Sequence, residues 1–264
     1  MRPLVEWPLP ERSGIRGVLT DIDDTLTTHG QLTPEVLAAL ARLRRANVQL
    51  IAVTGRPTYW ALPLLRLCGF DAVIAENGAS AFWLDKQKRQ QSLFYADAST
   101  RQTHRRALDA FAVTLRERFP GVSVAEDAPQ RVGDLAFDIG ENVPPFPAGQ
   151  VDEIIAFIRG QGLYATASSI HAHASLAQFS KQMTSARVLS DVFGVDDAAA
   201  QKQYAFVGDS GNDASMFGHY PYAIGVANVA NFMDKLPVPP AYVTRRAYGA
   251  GFVEVADAIL EGRT

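Results

Sequence analysis

The chain has 264 residues, 47% hydrophobic and 20% charged, enough apolar material for a real core, and this composition excludes disorder, collagen and coiled coil. Its 25 Lys and Arg against 28 Asp and Glu leave a net charge of −3, without the basic footprint of a nucleic-acid or anionic-membrane binder. The single cysteine, Cys68, excludes an intramolecular disulfide and a Cys-rich zinc site; beside Leu67 and Phe70 it reads as a buried small apolar residue.

The N-terminal stretch Met1 to Gly14 carries three prolines and no continuous apolar run, so no signal peptide is expected. No apolar run reaches the ~18 residues of a membrane span, and a soluble cytoplasmic protein with no membrane partner is the default expectation. Gly17 to Thr20 reads as a buried strand that stops at an acidic cluster. Thr33-Pro34 opens a helix, with Thr33 as N-cap, Pro34 at the first helical position, and Val36, Leu40 and Leu43 on one face. Val48 to Val53 is the next strand, ending at Thr54-Gly55-Arg56. Pro57 starts a helix through about Leu67, and Ala72 to Ala75 is a third strand. Strand and helix alternating with short loops predict a parallel sheet covered on both faces.

The pattern changes after about Asp85. A long helix over Ser99–Phe119, strands Val122–Ala125 and Leu135–Ile139, a Pro-rich loop, a helix Val151–Arg159 and strands Leu163–Ala167 and Ile170–Leu176 suggest an α+β insert. From Gln182 the first rhythm returns: a helix to about Phe193, a strand Gln203–Val207 stopping at Gly208-Asp209, a short helix from Asp213, a strand Ala223–Val226, a short strand near Tyr242 and a last helix from Phe252. The expected fold is therefore α/β, a Rossmann-like parallel-sheet core over 1–84 and 176–264 interrupted by an α+β cap over 85–175. Inserts of that kind sit over clefts.

Asp21, Asp23 and Asp24 stand where the first strand ends, and ligands bind at the carboxyl ends of strands in open parallel sheets. Thr54, Lys181 and the Asp209–Asp213 pair lie at or beside similar ends. Clustered carboxylates repel one another unless a cation neutralises them, and a hard divalent ion, Mg²⁺ in particular, suits oxygen ligands without His or Cys. That combination fits phosphoryl chemistry.

Asp21-Ile22-Asp23-Asp24-Thr25-Leu26-Thr27 resembles the first motif of the haloacid dehalogenase superfamily of phosphohydrolases. Thr54-Gly55-Arg56 resembles the second motif, Lys181 the third, and Gly208-Asp209-Ser210-Gly211-Asn212-Asp213 the fourth. Four motifs in order around a cap are a far more specific signal than any one. The insert, together with Glu76-Asn77-Gly78-Ala79, is similar to subclass IIB, which includes sucrose-phosphate, trehalose-phosphate and mannosyl-phosphoglycerate phosphatases. The resemblance implies roles. Asp21 is the nucleophile, Asp23 the general acid and base, Thr54 a phosphoryl-oxygen donor, and Lys181 the charge neutraliser. Mg²⁺ is held by Asp21, the Asp23 carbonyl and Asp209, with Asp213 binding through water or orienting the shell and Asn212 beside it. Asp23 separates a phosphatase from the dehalogenases, and Ile22 separates it from the transport ATPases, which carry Lys there.

Gly55, Arg56, Asn77, Arg131, Asp134 and His171 are the substrate-side residues the resemblance implies. Arg131, Asp134 and Asp138 flank an apolar strand, where they are equally compatible with a solvated face. His171 and His173 alternate along one strand and so share a side. The expected activity is Mg²⁺-dependent hydrolysis of a small phosphorylated metabolite, a sugar phosphate first. A sugar phosphomutase and a non-catalytic phosphometabolite-binding regulator are the alternatives; the substrate and the oligomeric state stay open.

Overall fold

A computed structural model describes residues 1–263. In chain order its strands are β1 (Arg2–Pro3), β2 (Gly17–Thr20), β3 (Thr27–Thr28), β4 (Gln31–Leu32), β5 (Gln49–Val53), β6 (Ala72–Ala75), β7 (Ser80–Leu84), β8 (Gln90–Phe94), β9 (Ser123–Val124), β10 (Leu135–Asp138), β11 (Tyr164–Ala167), β12 (His171–Ser175), β13 (Tyr204–Gly208), β14 (Ala223–Gly225) and β15 (Tyr242–Val243). One nine-stranded sheet runs β1-β15-β14-β13-β2-β5-β6-β7-β8. It is parallel from β1 through β6, and β7 and β8 add to it antiparallel.

The central strands are short apolar runs because both of their faces are covered. Alternate residues serve opposite cores. Val18, Leu50, Ala52, Val73 and Val207 pack with Val36, Leu40 and Leu43 of the helix Pro34–Arg45 and with Phe252, Val255 and Ile259 of the helix Tyr248–Glu261. Leu19, Ile51, Val53, Ile74 and Phe206 pack on the other side with Val188 and Leu189 of the helix Lys181–Phe193.

A separate four-stranded antiparallel sheet, in the order β11-β12-β10-β9, carries its own core. Leu135, Phe137, Ala172 and Ala174 point toward Leu108 and Leu115 of the helix Ala98–Arg118 and Ile154 and Ile158 of the helix Ala148–Gly160. Pleating therefore gives Asp138, His171, His173 and Ser175 to the opposite face of that sheet. Four buried polar residues on the helix-free face make it a working surface.

The structure differs from the sequence expectation in several places. The boundary expected at residue 84 falls inside the β7–β8 hairpin, so the nine-stranded sheet extends to Phe94. The segment after Pro57 is a 3₁₀ turn, one α turn and a π turn, ended by Gly69 at φ 74°, in place of one regular helix. Thr33 makes no side-chain cap, although Pro34 does open its helix. Cys68 is half-buried, in that π turn. The last helix begins at Tyr248, before Phe252. Among the described residues no helix is long and apolar enough to cross a membrane.

Candidate active site

β2 and β13 are parallel neighbours, so their carboxyl ends reach one rim together. Asp21 follows β2 and its N–H donates to the Val207 carbonyl at 2.9 Å. Asp209 follows β13. The Asp21, Asp209 and Asp213 carboxylates offer oxygens that all lie within 4.8 Å of one another, and all three residues are buried. Lys181, the first residue of its helix and itself buried, donates from Nζ to Asp21 Oδ1 at 2.6 Å and to Asp213 Oδ1 at 2.7 Å. Ser180 caps this helix by accepting the Met183 N–H at 3.1 Å, which holds Lys181 at the rim.

Asp213 uses its other oxygen on the loop: Oδ2 accepts the N–H groups of Asp209 at 2.9 Å and Ser210 at 3.2 Å. Gly208 is required there, because a Cβ would sit 2.4 Å from Asp213 Oδ2. Burial, joined by the neighbouring carboxylates, pushes the Asp21 carboxyl up to about 8 even against Lys181, and raises Asp209 well above its ordinary value. Against the same burial, Asp21 and Asp213 hold the Lys181 ammonium above its usual range.

Thr54 follows β5 and is fully buried; its Oγ1 accepts the Arg56 N–H at 3.0 Å. Arg56 grips Asp23 with a two-pronged pair, Nε to Oδ2 and Nη2 to Oδ1, both at 2.8 Å. Its third nitrogen, Nη1, reaches Glu141 Oε1 at 2.5 Å, and His171 Nε2 lies 2.8 Å from Glu141 Oε2. His171 first, then Arg56, pull the Glu141 carboxyl down to about 2 against its partial burial. Asp138 presents this glutamate by accepting the N–H groups of Gly140, Glu141 and Asn142 at 3.0, 2.8 and 2.9 Å.

A second joint locks the four-stranded sheet to the core. Arg131 has a fully buried side chain. It pairs with both oxygens of Asp127 at 2.7 and 2.8 Å, with Asp134 Oδ1 at 3.0 Å, and with the Gly55 carbonyl at 2.9 Å. Glu76 accepts the Val132 and Gly133 N–H groups on Oε2, both at 2.8 Å, and Thr58 N–H and Oγ1–H on Oε1 at 3.1 and 2.6 Å. The cleft that remains is lined by Asp21, Asp23, Gly55, Arg56, His171 and Asn212, among others. Its cavity volume is about 10 Å³, room for about one water.

A family model described as haloacid dehalogenase-like hydrolase matches residues 18–112. A phosphoglycolate phosphatase of Pyrobaculum neutrophilum is 29% identical over 252 residues, 94% of this chain and 97% of that protein. The solved structures agree in fold. A Thermoplasma acidophilum protein superposes with a TM-score of 0.70 at 17% identity, covering 94% of this chain and 99% of that one. A Synechocystis sucrose-phosphatase, crystallised with sucrose and phosphate, gives 0.63 at 18% identity, covering 92% and 97%. Residues 18–112 thus match the haloacid dehalogenase-like hydrolase family, and the whole chain shares the fold of these solved structures.

The fold brings Asp21, Lys181, Asp209 and Asp213 into one buried cluster. Gly55, Arg56 and His171 line the cleft; Asp134 and Asn77 line the neighbouring cavity, and Arg131 is buried beside them. The charges of Arg131 and Asp134 are spent on each other, on Asp127, on His173 and on the Gly55 carbonyl, so Arg131 acts as a strut between the two sheets. Asn77 stands behind the cleft, where its Oδ1 accepts Asn212 Nδ2 at 2.9 Å. The Asn212 carbonyl oxygen accepts from Ser210 Oγ at 3.1 Å, so its amide is engaged with Ser210 and Asn77.

Glu141 and Asn228 are absent from the sequence expectation. Asn228 follows β14 and donates from Nδ2 to both Asp209 Oδ2 and the Asp24 carbonyl, each at 3.0 Å. The strand-end rule applied to β14 would have found it. Glu141, in a Pro-rich loop, carries no such signal.

Proposed function

We propose that this protein is a Mg²⁺-dependent phosphatase acting on a small phosphorylated metabolite, a sugar phosphate first, through a phosphorylated Asp21. One observation carries the reading: a buried aspartate at the end of β2 sits 2.6 Å from a buried lysine and beside two further buried carboxylates, with Asp23 two residues on at the cleft.

The donor set fits a divalent cation. Three buried carboxylates face one ammonium, and burial, joined by the neighbouring carboxylates, raises Asp21 and Asp209. Asp21, Asp209 and the Asp23 carbonyl would hold the ion. Asp213, with both oxygens already committed, orients Lys181 and the loop. When bound, Mg²⁺ supplies positive charge against the phosphoryl oxygens.

The chain's own groups account for the steps. A carboxylate oxygen of Asp21 attacks phosphorus while the bond to the leaving oxygen breaks, and Asp23 gives that oxygen its proton. Water then attacks the phosphoaspartate, Asp23 takes the proton back, and phosphate leaves with Asp21 regenerated. Lys181 and the Thr54 hydroxyl stabilise charge on the transferring group. Arg56 orients Asp23 by its two-pronged grip.

The insert would act as the cap that reads the leaving group. Its first residue moves to about 95, since β8 belongs to the core sheet. A cleft of about 10 Å³ is too small for any phosphate ester, so substrate entry requires the cap to lift.

The test is phosphate release from a panel of sugar phosphates and 2-phosphoglycolate, with Mg²⁺, with EDTA and with Asp21→Asn. Release that needs Mg²⁺ and disappears in the variant supports the reading. No release from folded protein with Mg²⁺ overturns it, and isomerisation of a sugar phosphate without release points to a mutase.

A further inference from the structure

Three segments distant in the chain meet around one guanidinium. Asp23 follows β2, Arg56 follows β5, and Glu141 belongs to the loop after β10 in the insert. Among the described residues Arg56 is the only donor to the Asp23 carboxylate, through Nε and Nη2 at 2.8 Å each. The remaining nitrogen, Nη1, donates to Glu141 Oε1 at 2.5 Å, and the Trp60 ring centroid lies 5.4 Å from the guanidinium carbon. The side chains of Asp23, Arg56 and Glu141 are 18%, 16% and 26% exposed, so solvent and salt weaken these contacts less than at an open surface.

The insert is built to deliver Glu141 to that place. Asp138 is buried, and both of its oxygens go to this loop: Oδ1 accepts the Gly140 and Glu141 N–H groups and Oδ2 the Asn142 N–H. The Phe146 N–H closes the loop by donating to the Ile139 carbonyl at 2.9 Å. A buried carboxylate costs free energy unless donors meet it, and here the donors are the backbone that carries Glu141. The second Glu141 oxygen lies 2.8 Å from His171 Nε2 on β12. Glu141 therefore moves with the insert, while Asp23 and Arg56 move with the core.

The fork geometry gives this contact a consequence. A guanidinium is planar, so holding Nε, Nη1 and Nη2 fixes its plane, and the plane fixes where the two Asp23 oxygens lie. With the insert down, Arg56 is gripped at both ends. With the insert lifted, Nη1 loses its acceptor, the long side chain regains rotamers, and the Asp23 carboxylate is held by a partner that is itself loose. A reacting group displaced by about 1 Å loses about a hundredfold in rate.

We propose that Glu141 is a positioning residue that couples closure of the insert to the placement of Asp23, acting through Arg56. This rests on the phosphatase reading and goes beyond it: Asp23 is aligned to give its proton only when the insert covers the ester.

The experiment uses kcat/KM, which covers every step up to departure of the leaving group. An alkyl phosphate needs the Asp23 proton in that step, whereas the nitrophenolate of para-nitrophenyl phosphate leaves without it. In Glu141→Ala the ratio of kcat/KM for the best alkyl ester of the panel to that for para-nitrophenyl phosphate falls about tenfold or more. In Glu141→Gln, which keeps an acceptor for Arg56, it falls less. Arg56→Met lowers the same ratio, and adding Glu141→Ala lowers it no further, because both act on Asp23 through one contact. An unchanged ratio in Glu141→Ala, whether both rates fall together or neither falls, overturns the coupling, because a loop that merely shapes the insert slows both esters alike. A further fall in the double variant overturns it too. If the unaltered protein hydrolyses no ester, the phosphatase reading has failed, and nitrogen NMR of the Arg56 guanidinium decides the clamp alone. Separate Nη1 and Nη2 signals that merge in Glu141→Ala uphold it; signals that stay separate in the variant, or are already merged in the unaltered protein, overturn it.

Discussion

Two buried charged clusters, one at the strand ends and one at the joint between the two sheets, differ in how their carboxylates are met. At the strand ends, Asp21, Asp209 and Asp213 share one ammonium, and burial drives Asp21 and Asp209 upward. At the joint, both oxygens of Asp127, Asp134 and Glu76 meet donors; Asp134 is held low in spite of equal burial, while burial and Asp134 still raise Glu76. The depth is the same; the supply of donors is not. Charge left over at the end of parallel strands marks a place for a cation and for chemistry, whereas charge fully spent marks a joint.

The largest expected effect breaks the first cluster at its proposed nucleophile. Asp21→Asn keeps the shape and removes the attacking charge, and phosphate release falls at least about a thousandfold in a steady-state assay. An Asp21→Asn protein that retains most of its rate places the chemistry elsewhere.

Next come the two buried cations. Lys181→Met and Arg131→Met each strand carboxylates in the interior, and each costs about 3–5 kcal/mol in urea unfolding. The comparison sharpens on adding Mg²⁺, which restores part of the loss for Lys181→Met and none for Arg131→Met. Equal rescue of both variants removes the distinction between site and joint.

Mg²⁺ itself should stabilise the unaltered protein. At about 100 times its dissociation constant it adds about 2.7 kcal/mol, read as a rise in Tm, and Asp209→Asn loses most of that rise. A Tm unmoved by Mg²⁺ argues against the metal site.

The smallest effect is a pH dependence at the edge of the cap. Glu141 has a folded value of about 2 against an ordinary 4.5. A depressed carboxyl stabilises the fold above about pH 4.5, and that stability is lost as pH falls toward 2. Solvent access holds the contribution below about 1 kcal/mol. Glu141→Gln flattens the acid limb of a stability-pH curve over that window; an unchanged limb removes Glu141 from the closing contacts.

Much of the first cluster is legible in the chain. Asp21, Thr54 and Asp209 each follow an apolar run, and the parallel-sheet rule sends such residues to one rim. Lys181 is legible only with the other motifs beside it, since a lone lysine before a helix carries no signal. Glu141 and Glu76 are not legible, because their partners, Arg56 and residues 132–133, are distant in sequence and meet only when the two sheets dock. The same docking turns Arg131 from an expected substrate contact into a strut: three acceptors from Gly55, Asp127 and Asp134 converge on it, and none of them announces the others. The β7–β8 hairpin is not legible for a related reason. β7 carries an apolar run, Ala81 to Leu84, but its edge partner β8 is half polar and resembles the start of an insert.

The sequence by itself determined the α/β core, the insert, and the acidic rim, because apolar period and strand-end placement are local properties that a linear chain displays. Only the tertiary structure decided which charges are neutralised and which remain. That outcome depends on burial and on the count of donors delivered by distant segments, and no single stretch of the chain contains either quantity.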